Sequence, residues 1–578
     1  MASSKPGLFA REATGLVREI GFSLGVIIIL SHVIGLGWQK RAFQFTGYAP
    51  MANEAMPLGL PAMFWAFLVV GLVVLVTGYA AGYVAAAMPR SGGGYVTISR
   101  VIHPVVGYMS GWVMFLAEAF SYGLIGVAVF EGIGIFFNIA LATPTATPAW
   151  LSTIGEPWFI FVGGLLLVWV FALVALLGTK MYGRLLQVVF YIPAAVTIAF
   201  FAMWIAGALN PSVVETGVQN VMGASPQQIV DLALANGMAN NAVGFFDAFS
   251  IALGGAFWAY MGWYATTFLA GEVKEANKKL PKVLLVAGLV IMVVYLSASS
   301  VSAFSVMNVA KTTANGQTWS FYQAYSWISY GGVVSKTTIA TVVPNFQSAW
   351  STGIASIIAQ GMGLGWLSII IAIAGVFWVA NDIPPFLLVA SRTFFAMSFD
   401  RMMPEKFSYV SERWHAPVWS LIITAIFAIP ACMAEANFPT GASTYLGFAG
   451  VVGTDIFDAA FLLMFCVSCM LLPLERRDIY DRAAVKHSVG FVVLLGLVAT
   501  LGASFCLYIF IQQSPWIWSL FTSKPATMSV EAWYGNLASA IGFLGCIAAG
   551  ILLYVYYMYK NSTKGVDMRT LYIAIPPE

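Results

Sequence analysis

Apolar stretches of about 20 residues, enough for a helix to cross a bilayer, recur along the chain between short polar segments. Twelve spans are predicted, centred near residues 31, 74, 118, 168, 194, 257, 294, 379, 426, 458, 500 and 548. The first 19 residues are polar and mixed in charge (Lys5, Arg11, Glu12, Arg18, Glu19) and hold no apolar core of a cleavable signal. The first span is long enough to serve as its own insertion signal. Two connecting segments are long. Residues 208–244 carry no Lys or Arg, and 308–364 carry only Lys311 and Lys336. The second holds a Trp-, Tyr- and Ser-rich stretch (318–332) and an apolar run (350–360). Both suit short helices capping one face, as interfacial packing or as a gate.

Composition assigns these stretches to a membrane. Of 578 residues 60% are hydrophobic and 9% charged, against about 25% charged in soluble domains. A surface so poor in charge belongs against lipid. The net charge of +3 is too small and dispersed for nucleic acid. Its distribution is informative. With the N-terminus cytoplasmic, inner segments collect Lys5, Arg11, Arg18 and the basic residues of 90–100, 180–184, 274–282, 392–413, 476–486 and 560–569. The outside keeps only Lys40, Arg41, Lys311, Lys336 and Lys524. That asymmetry predicts an even number of spans with both ends cytoplasmic; one span more or fewer would invert every later loop.

Two spans do not read as ordinary helices. The first meets Ser31 and His32 midway, then Gly35 and Gly37. Such a pair suits either an unwound segment lining a cavity or close helix packing through small residues. The sixth is interrupted by Gly254, Gly255 and Gly262, with Trp258, Tyr260, Trp263 and Tyr264 crowding its middle. Interruptions at corresponding places in two halves point to a transporter's binding site. At spans one and six they imply two repeats of five spans with opposite topology.

Ionisable residues inside spans are candidates for function, with structural hydrogen bonding as the alternative. They are His32, Glu118, Asp247, Asp382 beside Asn381, Asp455 and Asp458. The four histidines (His32, His103, His415, His487) are scattered, so no convergent cluster suggests a membrane-embedded enzyme. All five cysteines lie in apolar stretches. Cys466 and Cys469 share a helix face but lack further ligands, and read as apolar filler rather than a metal site.

Four segments resemble the amino acid–polyamine–organocation permeases, over about residues 15–475. They are Ile34-Gly35-Leu36-Gly37; Pro89 to Tyr95 with Arg100 and Gly111-Trp112; Gly262 with Ala270 to Lys274 and Leu280-Pro281; and Ser391-Arg392, Ala396-Met397, Asp400-Arg401, Pro404 and Pro417. The resemblance implies an all-α membrane protein with the LeuT-like five-plus-five inverted repeat, two further helices, 12 spans, and helices 1 and 6 broken. It divides the chain into a cytoplasmic segment (1–19), a first repeat (20–207), a second repeat (245–473) with the outer loop 308–364, two last helices (487–560) and a cytoplasmic tail (561–578). The expected activity is secondary active transport of amino acids at a plasma membrane, by symport or antiport. The expected partners are a small-molecule amino acid and the lipid bilayer, without nucleic acid; no oligomeric state follows.

Carried onto this chain, the family pattern places a substrate carboxylate on amides near Leu36 and Gly37, beside Gly35. It places the ammonium on carbonyls of Val33, Trp258 and Met261, beside Gly262, with Trp258, Tyr260 and Trp263 as aromatic walls. Tyr264 stands where some arginine-exchanging relatives carry an acid, which favours a neutral amino acid. Asp382, Asn381, Glu118 and His32 are the coupling candidates, for sodium or a proton, and no other cofactor is expected. The fifth helix lacks the lysine of some proton-coupled relatives, since 187–195 has none. A polyamine, nucleobase or other organic amine is the alternative cargo. A channel is disfavoured by the aromatics at the sixth-helix break. On the inner loops, Glu272, Asp400, Arg90, Arg100, Arg392 and Arg401 suit either an ion-pair latch or plain solvation.

Overall fold

The computed structural model describes residues 7–332 and 334–577; Lys5, counted among the inner basic residues, lies outside them. Among the described residues eleven helices are long and apolar enough to cross a membrane. They are Phe22–Tyr48, Ala62–Ala87, Pro104–Ala140, Pro157–Ala175, Lys180–Leu209, Ala276–Met307, Gly365–Phe399, Val418–Ala436, Val451–Glu475, Val489–Gln512 and Val530–Thr563. The sixth of the twelve expected spans is absent from this set because it is divided. Its helix, Phe245–Tyr260, has 16 residues, about 24 Å at 1.5 Å per residue.

Three interruptions shape the bundle. Helix Phe22–Val33 stops at Ile34 (φ −85°, ψ 75°) and resumes as a π turn, Gly37–Arg41, before Ala42–Tyr48. Helix Phe245–Tyr260 stops at Met261, and Gly262 takes φ +89°, a left-handed value that glycine adopts without steric cost. Short 3-10 turns, Ala265–Phe268 and Ala270–Glu272, carry the chain onward. In Gly365–Phe399, one helix ends at Ala380 and another begins at Ile383, with Pro384 and Pro385 in its first turn, where no amide is needed. Asn381 and Asp382 form the joint.

Burial sorts helices that are equally apolar. The most apolar window of Pro104–Ala140 is 83% buried, that of Val530–Thr563 only 17%. The first is therefore the core of the bundle, packed against Gly365–Ala380, Ile383–Phe399 and Val451–Glu475. Peripheral helices turn out large apolar side chains such as Leu166, Leu173, Ile198, Leu501 and Leu552, the surface that lipid covers. The long connections carry helices Pro211–Met222, Pro226–Ala235, Phe321–Ser326, Lys336–Val342 and Ser351–Gly361, and a hairpin pairing Thr312–Ala314 with Gln317–Trp319.

Candidate functional site

The three interruptions meet. At Gly35 there is no room for a side chain, because the Asp382 carboxylate fills the space a Cβ would take. Asp382 Oδ2 accepts a hydrogen bond from the Leu36 amide at 3.3 Å, one of the N–H groups the helix break leaves unpaired. Its neighbour Asn381 donates to the Ser31 carbonyl at 3.4 Å. The joint of one helix thus sits in the break of another. The second contact is between the two broken helices themselves. A Cβ on Gly37 would fall 2.7 Å from the Ala259 Cβ, and one on Gly262 would fall 2.6 Å from the His32 ring.

Tyr295, on Ala276–Met307, ties the breaks together. Its hydroxyl stands 2.5 Å from the Val33 carbonyl and 2.6 Å from the Ala259 carbonyl. A hydroxyl has one proton to donate, so it serves one carbonyl at a time. Gln39 does similar work on the other side. It donates to the Gly35 and Gly375 carbonyls at 2.9 and 3.4 Å, and accepts from Thr352 at 2.9 Å. Sequence reasoning overlooked both residues. Gln39, a polar side chain two residues past Gly37, offered a signal; Tyr295 in an apolar run offered none.

A cavity of about 710 Å³, its open mouth included, lies against these breaks. Of the expected substrate residues Val33, Leu36, Gly37, Trp258 and Met261 line it, as do His32 and Asp382. Gly35 and Gly262 lie behind the lining, as close-approach positions. Tyr260 and Trp263 are turned to Ala62–Ala87 instead, donating to the Phe67 carbonyl at 3.2 Å and to Thr77 at 3.1 Å. They do not wall the cavity. Glu118 stands behind His32, its Oε2 3.4 Å from Nε2, and the imidazole meets Phe386 edge-on. Two of the expected ammonium acceptors already have partners: the Val33 carbonyl has Tyr295, and the Trp258 carbonyl accepts from the Met261 amide at 3.1 Å. The Val33 carbonyl also accepts from the Gly35 amide at 3.0 Å, so both its lone pairs are engaged when Tyr295 serves it, while the Trp258 carbonyl keeps its second.

The partly exposed lining is charged. Lys40 pairs with Glu131 at 2.9 Å. Arg41 donates to Gln44 at 2.6 Å and lies over the Trp258 ring, 4.1 Å from its centroid. Glu435, Asp455 and Asp458 complete this end. No group of three or more His, Cys, Asp or Glu side chains converges as a metal site among the described residues.

On the face carrying the N-terminal segment, the chain is sealed by two buried two-pronged ion pairs. Arg392 holds Glu272 through Nε and Nη2, at 2.8 and 3.0 Å. Arg100 holds Asp400 at 2.6 and 2.8 Å, and Tyr95 donates to the same carboxylate at 2.9 Å. The first pair joins the end of the sixth span to the helix after the Asp382 joint. Fixed fork geometry makes such pairs specific as well as strong. The C-terminal tail lies across this face, where its Pro576 and Ala574 carbonyls accept from Arg90 and Arg100.

The family model described as amino acid permease matches residues 21–543. The serine/threonine exchanger SteT of Bacillus subtilis is 23% identical over 288 residues, 49% of this chain and 54% of SteT, so the match spans about half of that relative. The branched-chain amino acid permease BcaP of the same organism is 22% identical over 555 residues, 95% of this chain and 94% of BcaP. Vacuolar cation-chloride cotransporter 1 of Saccharomyces cerevisiae is 25% identical over 198 residues, 33% of this chain and 17% of that protein. These relatives bear the names of transporters, not of enzymes. The chain is a multi-span helical membrane protein and belongs to the amino acid permease family.

Proposed function

We propose that this protein is a secondary active transporter of amino acids that works by alternating access, with its substrate bound at the breaks of spans one and six. The observation that carries this reading is the cavity against two interrupted helices, where amides and carbonyls released from regular helix pairing lie within reach of a zwitterion. The amides at Leu36 and Gly37 suit a carboxylate, and the carbonyls of Val33, Trp258 and Met261 suit an ammonium. Trp258 and Met261 shape the side-chain space.

Asp382 gives coupling a physical basis. Its carboxylate already holds the Leu36 amide, so it competes with a substrate carboxylate for the same donor. A proton or sodium ion that neutralises Asp382 weakens that hold and frees the amide. Ion and substrate then bind cooperatively, which is the requirement for symport; exchange of two substrates is the other mode. Asn381, Glu118 and His32 adjoin this point and belong to the same coupling group.

The finer architecture follows the same reading. The divided Phe245–Tyr260 segment is the twelfth span, in sixth position, and 20–207 and 245–473 form a five-plus-five inverted repeat of the LeuT-like kind. Residues 487–560 add two helices. Both termini are cytoplasmic, at the plasma membrane, so the two buried ion pairs close the inner side while the cavity is reached from outside. Uptake of a labelled amino acid panel into proteoliposomes, with sodium and proton gradients imposed separately, tests this. Failure to take up or exchange any amino acid would overturn it.

A further inference from the structure

Beyond helix Val530–Thr563 the chain turns at Gly565 (φ +76°) and lies back across the face that carries the two buried ion pairs. Asp567 caps a short helix, Met568–Ile573, by accepting from the Arg569 and Thr570 amides. Leu571 is fully buried, in one apolar cluster with Tyr95, Tyr108 and Met403. Three arginines then take carbonyls of the same segment. Arg476 donates to Ile573 at 3.2 Å, Arg100 to Ala574 at 3.4 Å and Arg90 to Pro576 at 2.6 Å.

These anchors belong to parts of the seal that alternating access has to separate. Arg100 is locked on Asp400, at the end of helix Ile383–Phe399. Arg90 precedes Ser91 and Gly92, which pair with the chain beyond the sixth-span break. Gly92 donates to the Phe268 carbonyl at 2.8 Å, and Ser91 bridges to Leu269. The start of the first span joins that side too, the Ile20 amide donating to the Glu272 carbonyl at 2.9 Å. Between Arg90 and helix Gly94–Val101, which carries Arg100, stand Gly92 and Gly93, both with left-handed φ (+92° and +44°). They make a joint there rather than a continuous helix. The segment is thus fastened to the broken helices through Arg90 and to Ile383–Phe399 through Arg100. It also shields the second ion pair. The Tyr572 ring centroid lies 5.3 Å from the Arg100 guanidinium, and Arg100 is only 5% exposed. Parting two charges under such cover costs more than parting them in water.

We propose that residues 566–577 are an autoinhibitory strap: docked, they hold this face closed, and released, they let it open. This rests on the transport reading above and names a regulation of it.

The test compares the unmodified full chain with Leu571→Asp, which puts a charge at a fully buried apolar position and so undocks the segment. Amide hydrogen exchange, read by mass spectrometry, is followed over residues 265–273, where among the described residues the segment makes no hydrogen bond. Release is expected to speed exchange there at least about fivefold, the lower end of coupling between distinct sites. The core helix Pro104–Ala140 is expected to keep its protection. Unchanged exchange at 265–273 in a folded variant overturns the strap. An equal rise in the core helix overturns it as well, since that is general loosening. In proteoliposomes the variant is expected to exchange labelled amino acids faster than the unmodified protein, and a folded variant that is no faster overturns the inhibition. Tyr572→Ala, which uncovers Arg100 without burying a charge, repeats both measurements should Leu571→Asp fail to fold. If neither protein exchanges any amino acid, the transport reading falls, and amide exchange at 265–273 still decides whether the segment holds this face closed.

Discussion

The carboxylate of Asp382 occupies the space that any side chain on Gly35 would need, and it holds the amide of Leu36. Two segments almost 350 residues apart are thereby made to depend on each other. Gly35→Ala is expected to be overpacked and destabilised by about 1–3 kcal/mol, with loss of uptake. Gly35→Ala/Asp382→Ala removes the collision and should recover most of that stability. Thermal unfolding in detergent checks this; equal melting of the single and double variants would rule out the collision.

Coupling through Asp382 makes a separate prediction. Asp382→Asn keeps the size of the side chain but removes its titration and its negative charge. Gradient-driven accumulation should be lost, while exchange of substrate across the membrane continues. Retained accumulation against a gradient would move the coupling site elsewhere.

Gly37 faces Ala259 across the two breaks, with 2.7 Å left for a Cβ. Gly37→Val therefore fills the gap between the broken helices and should abolish substrate binding. Undiminished affinity in equilibrium binding would take the carboxylate site away from this place.

Removing the Tyr295 hydroxyl leaves two buried carbonyls, Val33 and Ala259, without their shared donor. Tyr295→Phe should cost about 1–3 kcal/mol, the range for a buried group left unsatisfied. Because both carbonyls border the site, substrate affinity should fall as well. A variant with wild-type melting and wild-type affinity would show that the hydroxyl ties nothing together.

The Glu272–Arg392 pair is buried on both sides. Removing one partner of such a pair costs about 3–5 kcal/mol, whereas replacing both by apolar groups is often neutral. Glu272→Gln should melt well below the wild type, and Glu272→Leu/Arg392→Met should recover. If the pair is the inner latch, the double variant should also exchange substrate with altered sidedness in inside-out vesicles.

How much of this was legible in the chain differs by element. Long apolar runs declare spans because only helices satisfy the backbone in lipid, and among the described residues eleven of the twelve expected stretches are helical segments long and apolar enough to cross a membrane. The sixth was legible as an anomaly, since Gly262 needs a left-handed φ that glycine alone adopts freely. The ionisable residues His32, Glu118 and Asp382 stood out because lipid tolerates few of them. What each faces was not legible. Tyr260, two residues beyond Trp258 on the same helix and so about 200° round it, faces Ala62–Ala87, and Trp263, past the break at Met261 and Gly262, is turned the same way while Trp258 stays at the cavity. Helical spacing cannot be continued across a segment that is not helical.

The sequence by itself determined the membrane class, the placing of the long apolar stretches, and the glycines at which two of them part. Those follow from local physics: chain length against bilayer thickness, and backbone freedom at single positions. Only the tertiary structure decided that Asp382 fills the first break, that Tyr295 and Gln39 brace it, and that Tyr260 and Trp263 turn away from the cavity. These depend on contacts between segments hundreds of residues apart, for which no local pattern carries a record.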